Sequence, residues 1–107
     1  MTQFMLAVVY DPADDAPAGS YEAVAAFNAD LQESGRFVYA CGLMPPSEAV
    51  AALPEGVLGD GPVRTAGPQL GGFWVVEATT RSEAEALAVR AASACARPIE
   101  LREVQGA

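Results

Sequence analysis

The sequence predicts an α+β domain whose strands and helices run in the order β-α-β-β-α-β, and three observations carry that reading. Four short runs are apolar and partly β-branched, as buried strands are. Two longer segments repeat their apolar residues at helical spacing. A stretch rich in glycine and proline, residues 47–71, parts one strand-helix-strand unit from the next.

The elements follow in order. Phe4 to Val9 (FMLAVV) is the first strand, ended by Asp11-Pro12. A polar connection with Asp14, Asp15, Pro17 and Gly19 leads to Ser20, whose hydroxyl suits a helix N-cap. Tyr21, Val24, Phe27 (or Asn28) and Leu31 form the apolar stripe of the first helix, and Gly35 stops it. Phe37 to Leu43 is the second strand; Pro45-Pro46 ends it, because proline has no N–H to give a ladder. In the excursion, Val57-Leu58 and Val63 to Thr65 are expected to pair as a hairpin across Gly59-Asp60-Gly61-Pro62. Gly72 opens the third strand, Phe73 to Ala78. Thr80 or Ser82 caps the second helix, with Glu83 and Glu85 in the first turn, where the helix dipole favours anions. Its stripe is Ala84, Leu87, Ala88, Ala91 and Cys95, mostly small, so the helix can lie close to the layer below. Pro98 starts the last strand, Ile99 to Val104, and the tail Gln105-Gly106-Ala107 is expected to fray.

This order is the split βαβ, or ferredoxin-like, arrangement, with the first and third strands at the centre of the sheet and an irregular excursion or hairpin in the middle of the chain. Residues 1–107 read as a single domain, without internal repeat. Strand alternation sends Phe4, Leu6 and Val8 to one face and Met5, Ala7 and Val9 to the other; Phe73 and Val75 likewise oppose Trp74 and Val76. All four sets are apolar. Two helices cover one face of such a sheet, so the other face needs a partner, and a second copy of the chain is the expected one.

Composition narrows the function. Of 107 residues, 51% are hydrophobic and 19% charged, which suits a packed core rather than a disordered chain. The net charge is -8, and the six basic residues are scattered arginines. No basic stripe is present to displace counterions from a phosphate backbone, so neither nucleic acid nor an anionic membrane is expected as a partner. No apolar run approaches the length of a membrane span, and the N-terminus has neither the basic start nor the cleavage pattern of a signal peptide. Cys41 and Cys95 stand far apart and form no CxxC, which reads as free thiols in a cytoplasmic protein. Histidine is absent, removing the commonest general base and metal ligand together. No metal and no cofactor is therefore expected. Asp11, Asp14 and Asp15 lack the ordered oxygen set of a calcium loop, and Gly71-Gly72 lacks the lysine of a phosphate loop.

Several motifs recur together. Asp60-Gly61-Pro62 is followed by Gln69-Leu70-Gly71-Gly72-Phe73; Leu43-Met44-Pro45-Pro46 follows the second strand; Phe27-Asn28-Ala29-Asp30-Leu31 ends the first helix. This ordered set resembles the YCII-related proteins, in particular their DGPF subgroup, over essentially the whole chain. The resemblance implies a ferredoxin-like fold, a dimeric α+β barrel-like assembly with a cleft, and a His/Asp pair as active site. It also implies a gene association with extracytoplasmic-function sigma factors. The chain departs from the pattern at Val63, where phenylalanine is usual, and at residues 64–68, which replace an acidic stretch. The position of the family's histidine falls near Val24, so the implied acid–base pair has no counterpart.

Asp60 is the leading polar candidate: a carboxylate at a cleft mouth acting as catalytic base or ligand acceptor, or else an Asp-Gly turn bonding nearby amides. Arg64 reads as a bidentate anion binder, a solvated arginine or a partner of Asp60. Tyr39 and Trp74 are candidate walls of a substrate-binding pocket, with core or dimer interface as the alternative. Glu77 faces a cleft or solvent, and Cys41 has no histidine to activate it. The expected function is that of a dimeric binding or accessory protein for a small apolar or aromatic metabolite. The alternatives are a cofactor-independent lyase or isomerase using Asp60 with Tyr39, and a regulatory module for a sigma factor.

Overall fold

The computed structural model describes residues 1–14 and 19–106. Asp15 and Pro17 of the acidic connection and Ala107 of the tail lie outside the described residues. The chain is mixed α+β. Strands β1 (Thr2–Tyr10), β2 (Phe37–Gly42), β5 (Gln69–Ala78) and β6 (Ile99–Glu103) form one sheet; β3 (Val50–Ala52) and β4 (Leu58–Asp60) form a separate two-stranded ribbon. Helices α1 (Tyr21–Glu33) and α2 (Arg81–Cys95), with a short 3-10 turn at Pro46–Glu48 after β2, complete the described elements. The main sheet has the order β2-β5-β1-β6, and every neighbouring pair is antiparallel. Among the described residues no helix is long and apolar enough to cross a membrane.

Local chemistry sets the helix ends. Ser20 accepts the Ala23 amide through its side chain, and Thr80 accepts that of Glu83, so each helix opens with one orphan N–H satisfied. At the end of α1, Gly35 turns left-handed at φ 73°, its N–H reaches the Gln32 carbonyl, and the Arg36 N–H reaches that of Leu31. This is a Schellman closure, and it reverses the chain directly into β2. α2 ends on Ala96, which adopts φ 54° without being glycine.

The core lies between the helices and one sheet face. Phe4, Leu6, Trp74, Val76 and Ala78 rise from the strands to meet Phe27 and Leu31 of α1 and Ala84, Leu87, Ala91 and Ala94 of α2. The Phe27 and Trp74 rings meet edge to face at 5.4 Å. Two expectations about the helix stripes are corrected. Tyr21 is 88% exposed, because it is the first residue of α1 and stands before the turn that reaches the sheet. On α2, Ala94 rather than Cys95 is the buried residue of the last turn.

Among the described residues no helix lies over the opposite face. Tyr39, Val75 and Met5 lie in one cross-strand row with Arg102, and Cys41, Phe73 and Ala7 in the next with Glu100. The long stretch between β2 and β5 also differs from expectation. Residues 63–65 form no strand; Val50–Ala52 pairs instead with Leu58–Asp60, and the Gly61 N–H extends the ladder to the Ala49 carbonyl. Pro62 explains the change, since it follows the paired Asp60 closely and cannot donate to a further rung. Val50 and Leu58, both on the ribbon, are 63% and 71% exposed. The radius of gyration, 15.1 Å, exceeds the about 13 Å of a compact chain of this length.

Candidate functional site

The cavity of interest sits at one end of the α/β layer, where the β1–β5 ladder slips. Val8 pairs with Gly72 and Val9 with Leu70, leaving Gly71 as the extra residue of a bulge. Both glycines are required by close approach. A Cβ on Gly71 would stand 2.9 Å from the Tyr10 ring, and one on Gly72 would stand 2.5 Å from the Cys41 carbonyl oxygen. With Gly42 beside them, three side chains are missing from adjacent strand ends, and space opens beneath the helices.

This cavity has a volume of about 300 Å³. Its floor is residues 40–42 and 71–74 with Val8; its roof is Val24 and Asn28 of α1 and Cys95 of α2. That is within the range of small-molecule pockets, and apolar lining with a few polar groups is their usual composition. The Trp74 indole Nε1 donates to Asn28 Oδ1 at 2.6 Å. Cys41 and Cys95 are both free and half-buried, and Cys95 Sγ contacts the Arg97 carbonyl at 3.8 Å. Among the described residues no carboxylate, arginine or tyrosine side chain lines the cavity. Among the described residues no three or more His, Cys, Asp or Glu side chains are grouped to hold a metal ion.

The four residues singled out from the sequence do not converge. Trp74 lines the cavity. Tyr39 is on the uncovered face of the sheet, 54% exposed, its ring 6.1 Å from that of Phe73. Asp60 is exposed at the end of β4. Arg64 is exposed and makes no ion pair with Asp60; its backbone carbonyl accepts the Gln69 side-chain amide at 2.7 Å. The excursion does border an open depression, between residues 11–13 and a wall that includes Pro46, Pro62, Thr65 and Gln69, but neither Asp60 nor Arg64 lines it. Glu77 is half-buried on the uncovered face.

Asn28 is the residue the sequence reading left without a role. The signal was present: a polar amide shares the helical stripe with Val24 and Leu31, and such a residue needs a buried partner. That partner, Trp74, is 46 residues away and is brought alongside only by folding.

Charge is arranged at the other end of β2. Arg36 Nε meets Glu83 Oε1 at 2.6 Å, tying the start of β2 to the first turn of α2, and the Thr79 N–H also points to that oxygen. Hydrogen bonding to Arg36 holds the Glu83 carboxyl below its usual range, and the Arg36 guanidinium is raised in turn. The ion pair is structural and lies away from the cavity.

Comparison with known proteins agrees with the motifs. No match to the chain is found among curated proteins. The model of the YCII-related domain matches residues 2–105, which takes in every strand, both helices and the cavity, and the chain therefore belongs to the YCII-related family.

Proposed function

We propose that this chain is a homodimeric binding or accessory protein that holds a small apolar or aromatic metabolite in the cavity between α1 and the strand ends. The observation that carries the proposal is the cavity itself: apolar, roofed by two helices, with the Trp74–Asn28 pair as its polar feature. Val24, near which the family's histidine would fall, lines the same space. That proximity supports placing the binding site here, without the family's base. A lyase or isomerase would need a proton acceptor facing the ligand, and among the described residues no carboxylate faces this cavity. Binding without turnover is the better reading. Saturable stabilisation of the protein by members of a panel of small aromatic compounds, lost in a Val24→Trp variant that fills the space, tests it. A panel with no saturating member, or binding indifferent to Val24→Trp, argues for another site.

The subunit arrangement in this proposal is a ferredoxin-like fold of the DGPF subgroup, paired through the uncovered sheet face into a barrel-like dimer. Asp60-Gly61-Pro62 with the intact Gln69-to-Phe73 motif supports the subgroup. Surface area supports the pairing. The chain exposes 6934 Å², against roughly 5600 Å² for a compact monomer of this mass. That excess exceeds the ~800 Å² each partner contributes to a standard interface. Charge also permits self-association. The uncovered face carries Glu77 and Glu100 against Arg102, so it is close to neutral although the chain bears -8. A cytoplasmic setting belongs to the same reading, supported by the two free thiols.

A further inference from the structure

We propose that Asn28 is the recognition group of the cavity, donating from its side-chain nitrogen to a neutral carbonyl oxygen on an otherwise apolar ligand; this rests on the binding reading above. The indole N–H of Trp74 can only donate. The Asn28 atom it meets at 2.6 Å must therefore be the oxygen, and the orientation of the amide is settled by chemistry rather than by choice. Nδ2 then carries two hydrogens, and among the described residues the bond that Oδ1 accepts is the one side-chain hydrogen bond Asn28 makes. Asn28 is half-buried and lines the cavity, so these donors are available to whatever occupies it.

The surroundings select the acceptor. Among the described residues no arginine or other cationic side chain lines the cavity, and the chain as a whole bears -8. A carboxylate entering this space would lose its hydration without meeting a cation, which is costly. A ketone, ester, lactone or amide oxygen needs only the hydrogen bond that Nδ2 offers, while its carbon skeleton lies against Val8, Val24 and the Trp74 ring. The ligand class is therefore a small, uncharged, carbonyl-bearing hydrocarbon or aromatic. Trp74 acts as the positioning residue that keeps the donor side of Asn28 turned away from itself.

The test compares three probes of similar shape: acetophenone, α-methylstyrene, in which a methylene replaces the carbonyl oxygen, and benzoate. Binding is followed by NMR through the Trp74 indole and Asn28 side-chain amide signals of the intact protein. The expected result is acetophenone bound about five-fold more tightly than α-methylstyrene, the usual scale of one neutral hydrogen bond. Benzoate binds more weakly than acetophenone, and the Asn28 amide signals shift with acetophenone alone. Asn28→Asp keeps an acceptor for Trp74 and removes the donors, so it erases the preference while α-methylstyrene still binds. Should that variant not fold, the wild-type amide signals decide. Equal affinities for acetophenone and α-methylstyrene, both shifting the Trp74 signal, overturn the role of Asn28 and leave the cavity reading standing. Tighter binding of benzoate overturns the neutral-ligand inference. Failure of both uncharged probes to move the Trp74 signal overturns the cavity reading and this one together.

Discussion

Gly72 passes so close beneath Cys41 that a Cβ on it would stand 2.5 Å from the Cys41 carbonyl oxygen, and 3.0 Å from the Gly42 Cα. Both obstacles are backbone and cannot rotate away. Gly72→Ala is expected to force β2 and β5 apart at the cavity rim and to destabilise the fold by about 1–3 kcal/mol, the cost of overpacking. Gly59→Ala is the control, since its nearest new neighbour would be the Ala51 oxygen at 4.0 Å; a change within about 0.5 kcal/mol is expected there. Urea unfolding of the two variants checks the contrast.

Self-association through the uncovered sheet face predicts a solution mass of twice 11.0 kDa at micromolar concentration, read by sedimentation or light scattering. Val75 lies in the centre of that face, between Tyr39 and Met5. Val75→Glu would bury an unpaired charge in the interface, at a cost of about 3 kcal/mol or more, and should yield a folded monomer. A dimer indifferent to this substitution would place the contact on another surface.

The Arg36–Glu83 pair predicts a pH dependence with a definite sign. The Glu83 carboxyl is held below its ordinary value in the folded state. The unfolded chain therefore takes up the proton first as pH falls, and the stability contributed by the pair is present above the unfolded value and lost as pH falls through the folded one. Glu83→Gln should lower the melting temperature at pH 7 and flatten the acid limb of its pH profile below about pH 4.5, while leaving the alkaline limb unchanged. A variant whose acid limb matches that of the wild type would assign the acid sensitivity to other carboxylates.

Asp60 and Arg64 are exposed, unpaired with each other, and outside the cavity. Asp60→Asn and Arg64→Ala are expected to change stability by no more than about 0.5 kcal/mol. Affinity for a ligand held in the cavity should stay within about two-fold, because neither residue touches the lining. A ten-fold loss in either variant, with folding intact, would move the site to the excursion.

The main-sheet strands and both helices were legible in the sequence, because each depends on local chemistry; the exception is the start of the third strand, which lies at Gln69 rather than at Gly72-Phe73 because pairing with Val9 and Tyr10 carries it past the glycines. Apolar runs bounded by Pro and Gly, the Ser20 and Thr80 caps and the Gly35 stop act over a few residues and leave their marks there. The hairpin of the excursion was not. Val50–Ala52 carries no strand signal stronger than that of residues 63–65, and the choice between them was made by where Pro62 interrupts the ladder. The cavity was legible only in part. Trp74 was found as an aromatic on a strand, and Asn28 was seen only as a polar interruption of a helical stripe.

The sequence by itself determined the alternation of elements, the apolar character of both sheet faces, the absence of histidine and basic clusters, and the motifs of the YCII-related family. Those are properties of residue order and composition, and folding does not alter them. Only the tertiary structure decided that Asn28 and Trp74 share a hydrogen bond, that Gly42, Gly71 and Gly72 together leave a cavity at the strand ends, and that Asp60, Arg64 and Tyr39 stand apart from it. The physical reason is that a site is a coincidence of distant segments. Its geometry depends on the β1–β5 bulge and on how closely α1 lies over the sheet, and neither is encoded within one helical turn or one strand.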